Sequence, residues 1–179
     1  MTRLVAMTDP ARSDPFDPEE LDTWSSLATL LEWLPAALDA QLTRDSGISH
    51  FEFGVLFALA QAEQRTLRMS ELAGYANSTL SRLSRAVARL ERRGWVRRAP
   101  DPRDGRITIA ELTDAGADAV RDATPGHVAL VRRLVFAPLT RAQAAQLGAS
   151  ARRISAAIHA DGQWRPPTST GATASNSAG

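Results

Sequence analysis

The fold is predicted most directly from the stretch Met69–Gly116, MSELAGYANSTLSRLSRAVARLERRGWVRRAPDPRDGRITIAELTDAG. This stretch contains a short helical segment, a second helical segment rich in arginine and serine, and two strand-like runs separated by DPRDGR. Gly94 follows the second helical segment, and glycine commonly ends a helix. The runs WVRR and RITIAEL have the composition of strands, with the turn residue Gly105 between them. The stretch therefore predicts a helix, a turn, a second helix and then a β-hairpin.

The second of these helices has one apolar and one basic face. At about 100° per residue, four apolar side chains share one face: Leu80, Leu83, Val87 and Leu90. The opposite face carries hydroxyl and guanidinium groups: Ser78, Ser81, Arg82, Arg85, Arg89 and Arg92. Glu91 is its only acid, whereas an ordinary surface helix mixes both signs of charge. Its hydroxyls and arginines could reach base edges in a DNA major groove, or the phosphates beside it.

Charge is distributed unevenly along the 179 residues, although the formal net charge is only +1. Residues 1–64 hold 3 Arg against 11 acids, whereas residues 65–106 hold 11 Arg against 4 acids. Residues 107–179 hold 7 Arg against 5 acids. A basic block within a near-neutral chain favours a local polyanion partner. On charge alone, a solvated arginine-rich face is the alternative.

The arginines between the two strand-like runs favour the polyanion partner. A hairpin directly after a recognition helix forms a wing, and an arginine at its tip suits the negative potential of a narrow minor groove. Asp104 is expected to brace Arg106 through a bidentate pair, and Gly105 to let the backbone turn. The predicted DNA contacts therefore span helix and wing: Asn77, Ser78, Thr79, Ser81, Arg82, Arg85, Arg103, Asp104 and Arg106.

The rest of the chain is predicted to be largely helical. Leucines recur at three- and four-residue steps over residues 18–42, which indicates an amphipathic helix that Pro35 is expected to kink or interrupt. HFEFGVLFALAQA, from His50, predicts a buried second helix. The fifth helix is expected to break near Pro125 and Gly126. Caps are expected at four helix starts: Ser70 for the third, Asn77 or Ser78 for the fourth, Thr113 for the fifth, and Thr140 with Gln143 for a sixth that ends near His159.

Short motifs occur in a fixed order through residues 69–116. They are Leu72-Ala73, then Leu90-Glu91 with Gly94, Trp95-Val96 with Arg98, Asp104 with Arg106, and Leu112-Thr113 with Gly116. The series resembles the winged helix-turn-helix core of the MarR family of bacterial regulators. Two departures stand out. The middle wing position, commonly arginine in the family, is Gly105, and the absence of cysteine excludes the cysteine-based peroxide sensing of some members.

The resemblance implies a homodimer whose first, fifth and sixth helices intertwine and present two recognition helices to a pseudo-palindrome. The residues support this independently, because the terminal helices carry apolar stripes that a monomer would expose, and packing within one subunit is the alternative. These stripes comprise Leu130, Val131, Leu134, Val135, Leu139, Leu147, Ile154 and Ile158.

The predicted fold is mostly α with a small β-hairpin wing, a winged helix-turn-helix core flanked by N- and C-terminal dimerisation helices. Five segments are expected: a flexible N-terminus (1–17), an N-terminal dimerisation helix (18–48), a winged helix-turn-helix DNA-binding domain (49–112), C-terminal dimerisation helices (113–163) and a disordered tail (164–179).

The functional hypothesis is a homodimeric regulator of transcription, expected to be a repressor, that binds operator DNA and is released by a small aromatic or phenolic effector. Metal-responsive and ligand-independent winged-helix regulators are the alternatives. Trp24, Trp33, His50 and Phe53 lie in segments that could line an effector crevice, although such aromatic residues more often belong to the core.

Enzymatic activity is not expected, because the sequence lacks GxSxG, HExxH and a phosphate-binding glycine loop. The histidines His50, His127 and His159 are far apart, so no catalytic residue, cofactor or metal site is predicted. Without cysteine there is no disulfide or thiolate site. No apolar run reaches the roughly 18 residues of a membrane helix, which favours a cytoplasmic protein without a membrane partner.

Overall fold

The computed structural model of the protein describes residues 15–158. Most of the predicted N-terminal extension (1–17), the predicted tail (164–179) and His159 lie outside the described residues. The described elements are, in chain order, α1 (Pro18–Ser46), α2 (His50–Gln61), β1 (Thr66–Arg68), α3 (Met69–Tyr75), α4 (Leu80–Arg92), β2 (Val96–Asp101), β3 (Asp104–Leu112), α5 (Asp114–Val131) and α6 (Arg141–Ile158). A 3₁₀ turn (Glu63–Arg65) precedes β1, and a π-helical turn (Arg132–Phe136) follows α5. The predicted mostly helical fold with a small antiparallel sheet is confirmed.

The chain divides within α1, after Ala37, into two compact units. In the first unit the carboxylate of Asp17 accepts the backbone N–H groups of Glu19 and Glu20, each at 2.8 Å, and so begins α1. The helix continues through Pro35, so the expected interruption is wrong. A proline removes one backbone donor, and a helix of 29 residues keeps its other hydrogen bonds on both sides.

The second unit contains a three-stranded antiparallel sheet in the order β1-β3-β2. The strand β1 was not predicted, because three residues are too few for an alternation pattern. Leu83, Val87 and Leu90 of α4 are fully buried against α2 and α3, as predicted, but Leu80 is 55% exposed and does not join the core stripe. Leu80 is the first residue of α4 and lies at one edge of its apolar face.

Two predicted caps are corrected. Thr79, rather than Asn77 or Ser78, caps α4, and its Oγ1 accepts the backbone N–H of Arg82 at 3.3 Å. Ser70 lies within the first turn of α3 and does not cap it. The start of α3 is capped instead by Glu71, whose carboxylate accepts the backbone N–H of Arg68 at 3.2 Å.

Four chain segments meet at a close contact between Trp95 and Gly116, which we call the Trp95–Gly116 joint. A Cβ atom at Gly116 would lie 2.1 Å from the carbonyl oxygen of Trp95, so only glycine fits. Thr113 caps α5, as predicted, and its Oγ1 accepts the Gly116 N–H at 3.1 Å. The same hydroxyl donates to the carbonyl oxygen of Gly94 at 2.7 Å, and the Thr113 N–H donates to the Trp95 carbonyl oxygen at 3.0 Å. Gly94 has a φ of 72° and ends α4, as predicted.

The two C-terminal helices are continuous. α5 runs through Pro125 and Gly126, so the expected break is wrong. The glycine is used for close packing instead, because a Cβ atom at Gly126 would lie 3.0 Å from Nε2 of Gln41. Thr140 and Gln143 form the predicted capping box of α6. None of the helices described between residues 15 and 158 has the length and apolar composition needed to cross a membrane.

Candidate nucleic-acid interface

The arginines of residues 65–106 fall into two groups, according to whether they have an acidic partner. Five of them form ion pairs within the fold: Arg65 with Asp114, Arg68 with Asp101, Arg89 with Glu52, Arg97 with Glu111, and Arg98 with Glu91. Among the described residues, the others have no acidic partner: Arg82, Arg85, Arg92, Arg93, Arg103 and Arg106. The second group is the part of the basic block that can neutralise an external polyanion.

The paired arginines of α4 and β2 hold the fold together. Nε of Arg89 lies 2.6 Å from Oε1 of Glu52, and Oε2 of the same carboxylate accepts the Ser49 N–H in the capping box of α2. Burial alone would raise the pKa of Glu52, but its bonds from Ser49 and Arg89 outweigh burial and hold that pKa below its usual range. Arg98 donates through Nε to Glu91 at 2.8 Å. Arg89, predicted to lie on the basic face, therefore links α4 to α2.

Arg82 and Arg85 lie in different surroundings, although the sequence placed them together. The guanidinium of Arg82 lies 4.5 Å from the ring centroid of Phe51, in a cation–π contact between α4 and α2. Arg85 is exposed and, within the described part of the chain, has no hydrogen-bond or ionic partner. Arg85 is therefore the freer of the two predicted base-reading arginines.

The tip of the β2–β3 hairpin is organised by Asp101, which sequence reasoning did not single out. Pro102 and Arg103 form the turn, and Asp101 pairs with Asp104 across it. The buried carboxylate of Asp101 accepts the backbone N–H of Arg103 at 2.8 Å and Nε of Arg68 at 3.2 Å. The Arg103 N–H, and then the Arg68 guanidinium, hold the pKa of Asp101 below its usual range against the opposing effect of burial. Asp101 therefore ties the hairpin tip to β1.

Two predictions about the wing are corrected. Asp104 does not form a bidentate pair with the guanidinium of Arg106; its carboxylate accepts the backbone N–H of Arg106 at 3.0 Å. Gly105 does not make the turn, because it lies inside β3 without a left-handed φ. Pro102 and Arg103 make the turn instead, and the carboxylate of Asp101 accepts the Arg103 N–H within it. Arg103 and Arg106 are exposed at the tip, as expected.

The remaining predicted contacts lie at the start of α4. Asn77 has a φ of 41°, a left-handed conformation that asparagine tolerates, and it shapes the turn between α3 and α4. Ser78 is half-buried, and its hydroxyl donates to the carbonyl oxygen of Thr79 at 3.3 Å. Ser81 is exposed in the first turn of α4. Asn77, Ser78 and Thr79 therefore shape the start of α4, whereas the side chain of Ser81 is available to a binding partner.

A groove of about 350 Å³ joins the start of α4 to the wing. Leu80 and Ser84 line it from α4, and Arg98 and Arg106 line it from β2 and β3. The wing arginine and the first turns of α4 therefore border one surface. The sequence could not predict that Arg106 and the start of α4 lie side by side, because this depends on how the hairpin packs along α4.

A second concave site lies between α2 and the end of α5. It is a cavity of about 650 Å³ with a mostly apolar lining. Phe53 and Phe57 line it from α2, and Val128 and Val131 from α5. Arg132 supplies the one charged side chain among its lining residues.

His127 is the polar group that this cavity leaves unsatisfied. Its Nδ1 atom is buried and has no hydrogen-bond partner among residues 15–158. Its ring centroid lies 4.8 Å from that of Phe53 and 5.9 Å from that of His50. Burial first, and the neighbouring His50 second, hold the pKa of His127 below its usual range. A neutral imidazole can form one more hydrogen bond with a molecule in the cavity.

The predicted effector residues belong to both units of the chain. Phe53 lines the cavity, and His50 reaches its edge by stacking on His127. Trp24 and Trp33 belong to the first unit, where they are 49% and 76% exposed. The residues of α5 were missed, because an amphipathic helix pattern does not distinguish a cavity wall from a core. Within the described range, no group of three or more His, Asp or Glu side chains could hold a metal ion.

A helix–turn–helix followed by a hairpin wing defines a winged helix-turn-helix protein, and comparisons with known proteins agree. The model of the MarR family matches residues 46–107. The chain is 44% identical to Sco3205, a MarR family transcriptional regulator from Streptomyces coelicolor solved in complex with DNA; the match covers 83% of this chain and 93% of that one, with a TM-score of 0.79. The chain belongs to the MarR family of transcriptional regulators.

Other relatives extend the comparison. AbsC, a MarR family transcriptional regulator from Streptomyces coelicolor, is 27% identical over 83% of this chain and 99% of that one, with a TM-score of 0.78. The transcriptional repressor MprA of Escherichia coli is 28% identical over 85 residues, which are 48% of either chain. The chain thus spans about half the length of the curated relatives it matches.

Proposed function

We propose that this protein is a regulator of transcription that binds duplex DNA through α4 and the β2–β3 wing, and that it acts in the cytoplasm. The observation that carries the proposal is the set of arginines without acidic partners on α4 and at the wing tip, on elements that border one groove. The DNA complex of Sco3205 supports it, because that protein shares both the fold and 44% of the aligned residues.

The two elements have different tasks in this proposal. α4 enters the major groove, where Ser81 and Arg85 can reach base edges, and guanine offers two acceptors to an arginine. Arg103 and Arg106 of the wing approach the adjacent minor groove, whose hydrogen-bonding pattern separates little beyond A·T from G·C. Arg82, held on Phe51, lies beside these groups and contributes positive charge toward the phosphates.

Arg85→Ala is expected to weaken binding by about 1–3 kcal/mol and to relax base preference at one position in each half-site. Arg106→Ala should weaken binding to related duplexes by similar factors, because the minor groove distinguishes few bases. The measurement is an anisotropy titration against a duplex selected from a randomised library, with one base pair varied at a time.

Arg97→Ala is the matched control for this titration, since Arg97 is exposed but already paired with Glu111. It should leave affinity close to that of the wild type. The DNA-binding surface has been assigned wrongly if Arg97→Ala weakens binding as much as Arg85→Ala and Arg106→Ala do. Failure to select any duplex would contradict the proposed function itself.

We further propose that the protein is a homodimer built from the segments 18–48 and 113–163 around the DNA-binding segment 49–112. No residue of α6 is buried, although the helix carries large apolar side chains. Leu147, Ile154 and Ile158 are 41%, 48% and 72% exposed. They share one face of the helix at heptad-like spacing. A second copy of the chain would bury these residues, and two recognition helices would then meet the two halves of a pseudo-palindrome.

Light scattering should give a mass about twice the 19.3 kDa of the chain. Ile154→Asp should reduce the mass to that of the monomer, because it places an unpaired charge in the buried interface. Ala149→Asp introduces the same charge at an exposed position about 200° around α6 from Leu147 and should leave the dimer intact. Equal behaviour of the two variants would contradict an interface on this face of α6.

The cavity beside His127 is the proposed binding site of a small effector. Binding of that effector is proposed to release the protein from DNA and so to end repression. Aromatic and aliphatic walls favour an apolar or aromatic molecule, while His127 and Arg132 offer a hydrogen bond and a positive charge to one polar or anionic group. Salicylate is a suitable first probe. It should lower affinity for the selected duplex in the wild type but not in Val128→Trp, which fills the cavity. Equal responses would favour a regulator that needs no ligand at this site.

A further inference from the structure

Leu80 is an exposed apolar residue within the basic surface. Between residues 62 and 131, all of which are described, it is the only large hydrophobic side chain that is strongly exposed, at 55%. The other exposed large hydrophobic residues precede or follow this segment: Phe16 lies before α1, and the rest lie on α1, α2, the π-helical turn and α6. Single exposed leucines are common on protein surfaces, so the exposure of Leu80 is informative only together with its position in the fold.

That position is the first turn of the proposed recognition helix. The Thr79 cap fixes the backbone immediately before Leu80, and Leu80 lines the same groove as Arg106 and Ser84. Leu80 does not belong to the buried core cluster that α4 forms through Leu83. Its side chain therefore contributes little to packing within the chain, although it lies where α4 and the wing approach the same partner.

We propose that Leu80 is a specificity-determining residue that recognises one thymine in each half-site through the C5-methyl group of the base. The thymine methyl is the apolar group that base-pair edges present in the major groove, and apolar side chains recognise it by contact. The surrounding arginines neutralise the adjacent phosphates, so the leucine can be desolvated against the methyl group without leaving charge unpaired. This inference rests on the proposed DNA-binding function, and it specifies which base is recognised and through which chemical group.

A protein partner is the competing explanation of an exposed leucine. The charge beside Leu80 favours DNA instead, because Arg106 lines the same groove and has no acidic partner among the described residues. A structural role in the groove, through contact with Met69 and Ile107, is the other explanation. The test has to separate recognition of a methyl group from both.

The probe is a duplex selected by the full-length protein from a randomised library, then synthesised with deoxyuridine in place of thymidine at one position at a time. This change removes one methyl group and leaves base pairing intact. Wild-type protein should lose about three- to fivefold in affinity per half-site at one symmetric position, as expected for one methyl group that is no longer buried. Leu80→Ala should bind the thymidine duplex more weakly and show no further loss with deoxyuridine. Leu80→Met keeps an apolar side chain and should retain the sensitivity.

Three outcomes would overturn the inference. Leu80→Ala could keep the full deoxyuridine penalty, which would assign the methyl contact to another residue. Wild-type protein could tolerate deoxyuridine everywhere, in which case no methyl group is read. Leu80→Ala could also bind as tightly as the wild type, so that Leu80 makes no contact. In all three cases the protein still binds its duplex, whereas failure of the proposed function would leave no selected duplex to substitute.

Discussion

The contact between the carbonyl oxygen of Trp95 and the α-carbon of Gly116 constrains every functional element of the second unit. The contact leaves no room for a Cβ atom, and Thr113 adds hydrogen bonds to Gly94 and Trp95 on either side of it. The end of α4, both strands of the wing and the start of α5 are thereby fixed to one another. The proposed DNA-reading elements share this joint with the helix that carries His127. A molecule in the cavity could therefore act on the DNA-binding surface through α5, without any change inside the wing.

Ion pairing within the fold determines which arginines remain for a polyanion. Three acids in or near the basic block each form an ion pair that joins two elements: Glu52, Glu91 and Asp101. Asp101 also orients the wing tip by accepting the Arg103 N–H. The negative charges thus have a structural role in a positively charged surface, because they fix the scaffold on which Arg85 and Arg106 are presented. The distribution of charge along the sequence does not distinguish the arginines that are paired within the fold from those that remain free.

The sequence predicted the order and type of the helices, the hairpin, and the caps at Thr113 and Thr140, because these depend on local periodicity and on single side-chain hydrogen bonds. It failed where tertiary contacts decide. Pro125 does not break α5, and Asp101 anchors the wing in place of Asp104. Leu80 does not join the core stripe, and Arg82 contacts the ring of Phe51, whereas Arg85 on the same predicted face has no partner among the described residues. The cavity wall on α5 could not be predicted from the sequence, because valines that line a cavity and valines that pack in a core give the same pattern.

The role of the Trp95–Gly116 joint can be measured through the stability of Gly116→Ala, with Gly74→Ala inside α3 as the matched control. Glycine to alanine inside a helix normally stabilises a protein by about 0.5–1 kcal/mol. At Gly116 the clash with the Trp95 carbonyl should reverse that sign and lower the free energy of unfolding by roughly 1–3 kcal/mol. DNA affinity should fall as well, because α4 and the wing lose their fixed relation. In Gly74→Ala the added Cβ atom meets no atom within 4 Å, so this variant should not be destabilised. A Gly116→Ala protein as stable as the wild type, with unchanged DNA affinity, would show that this contact does not hold α4 and the wing in place.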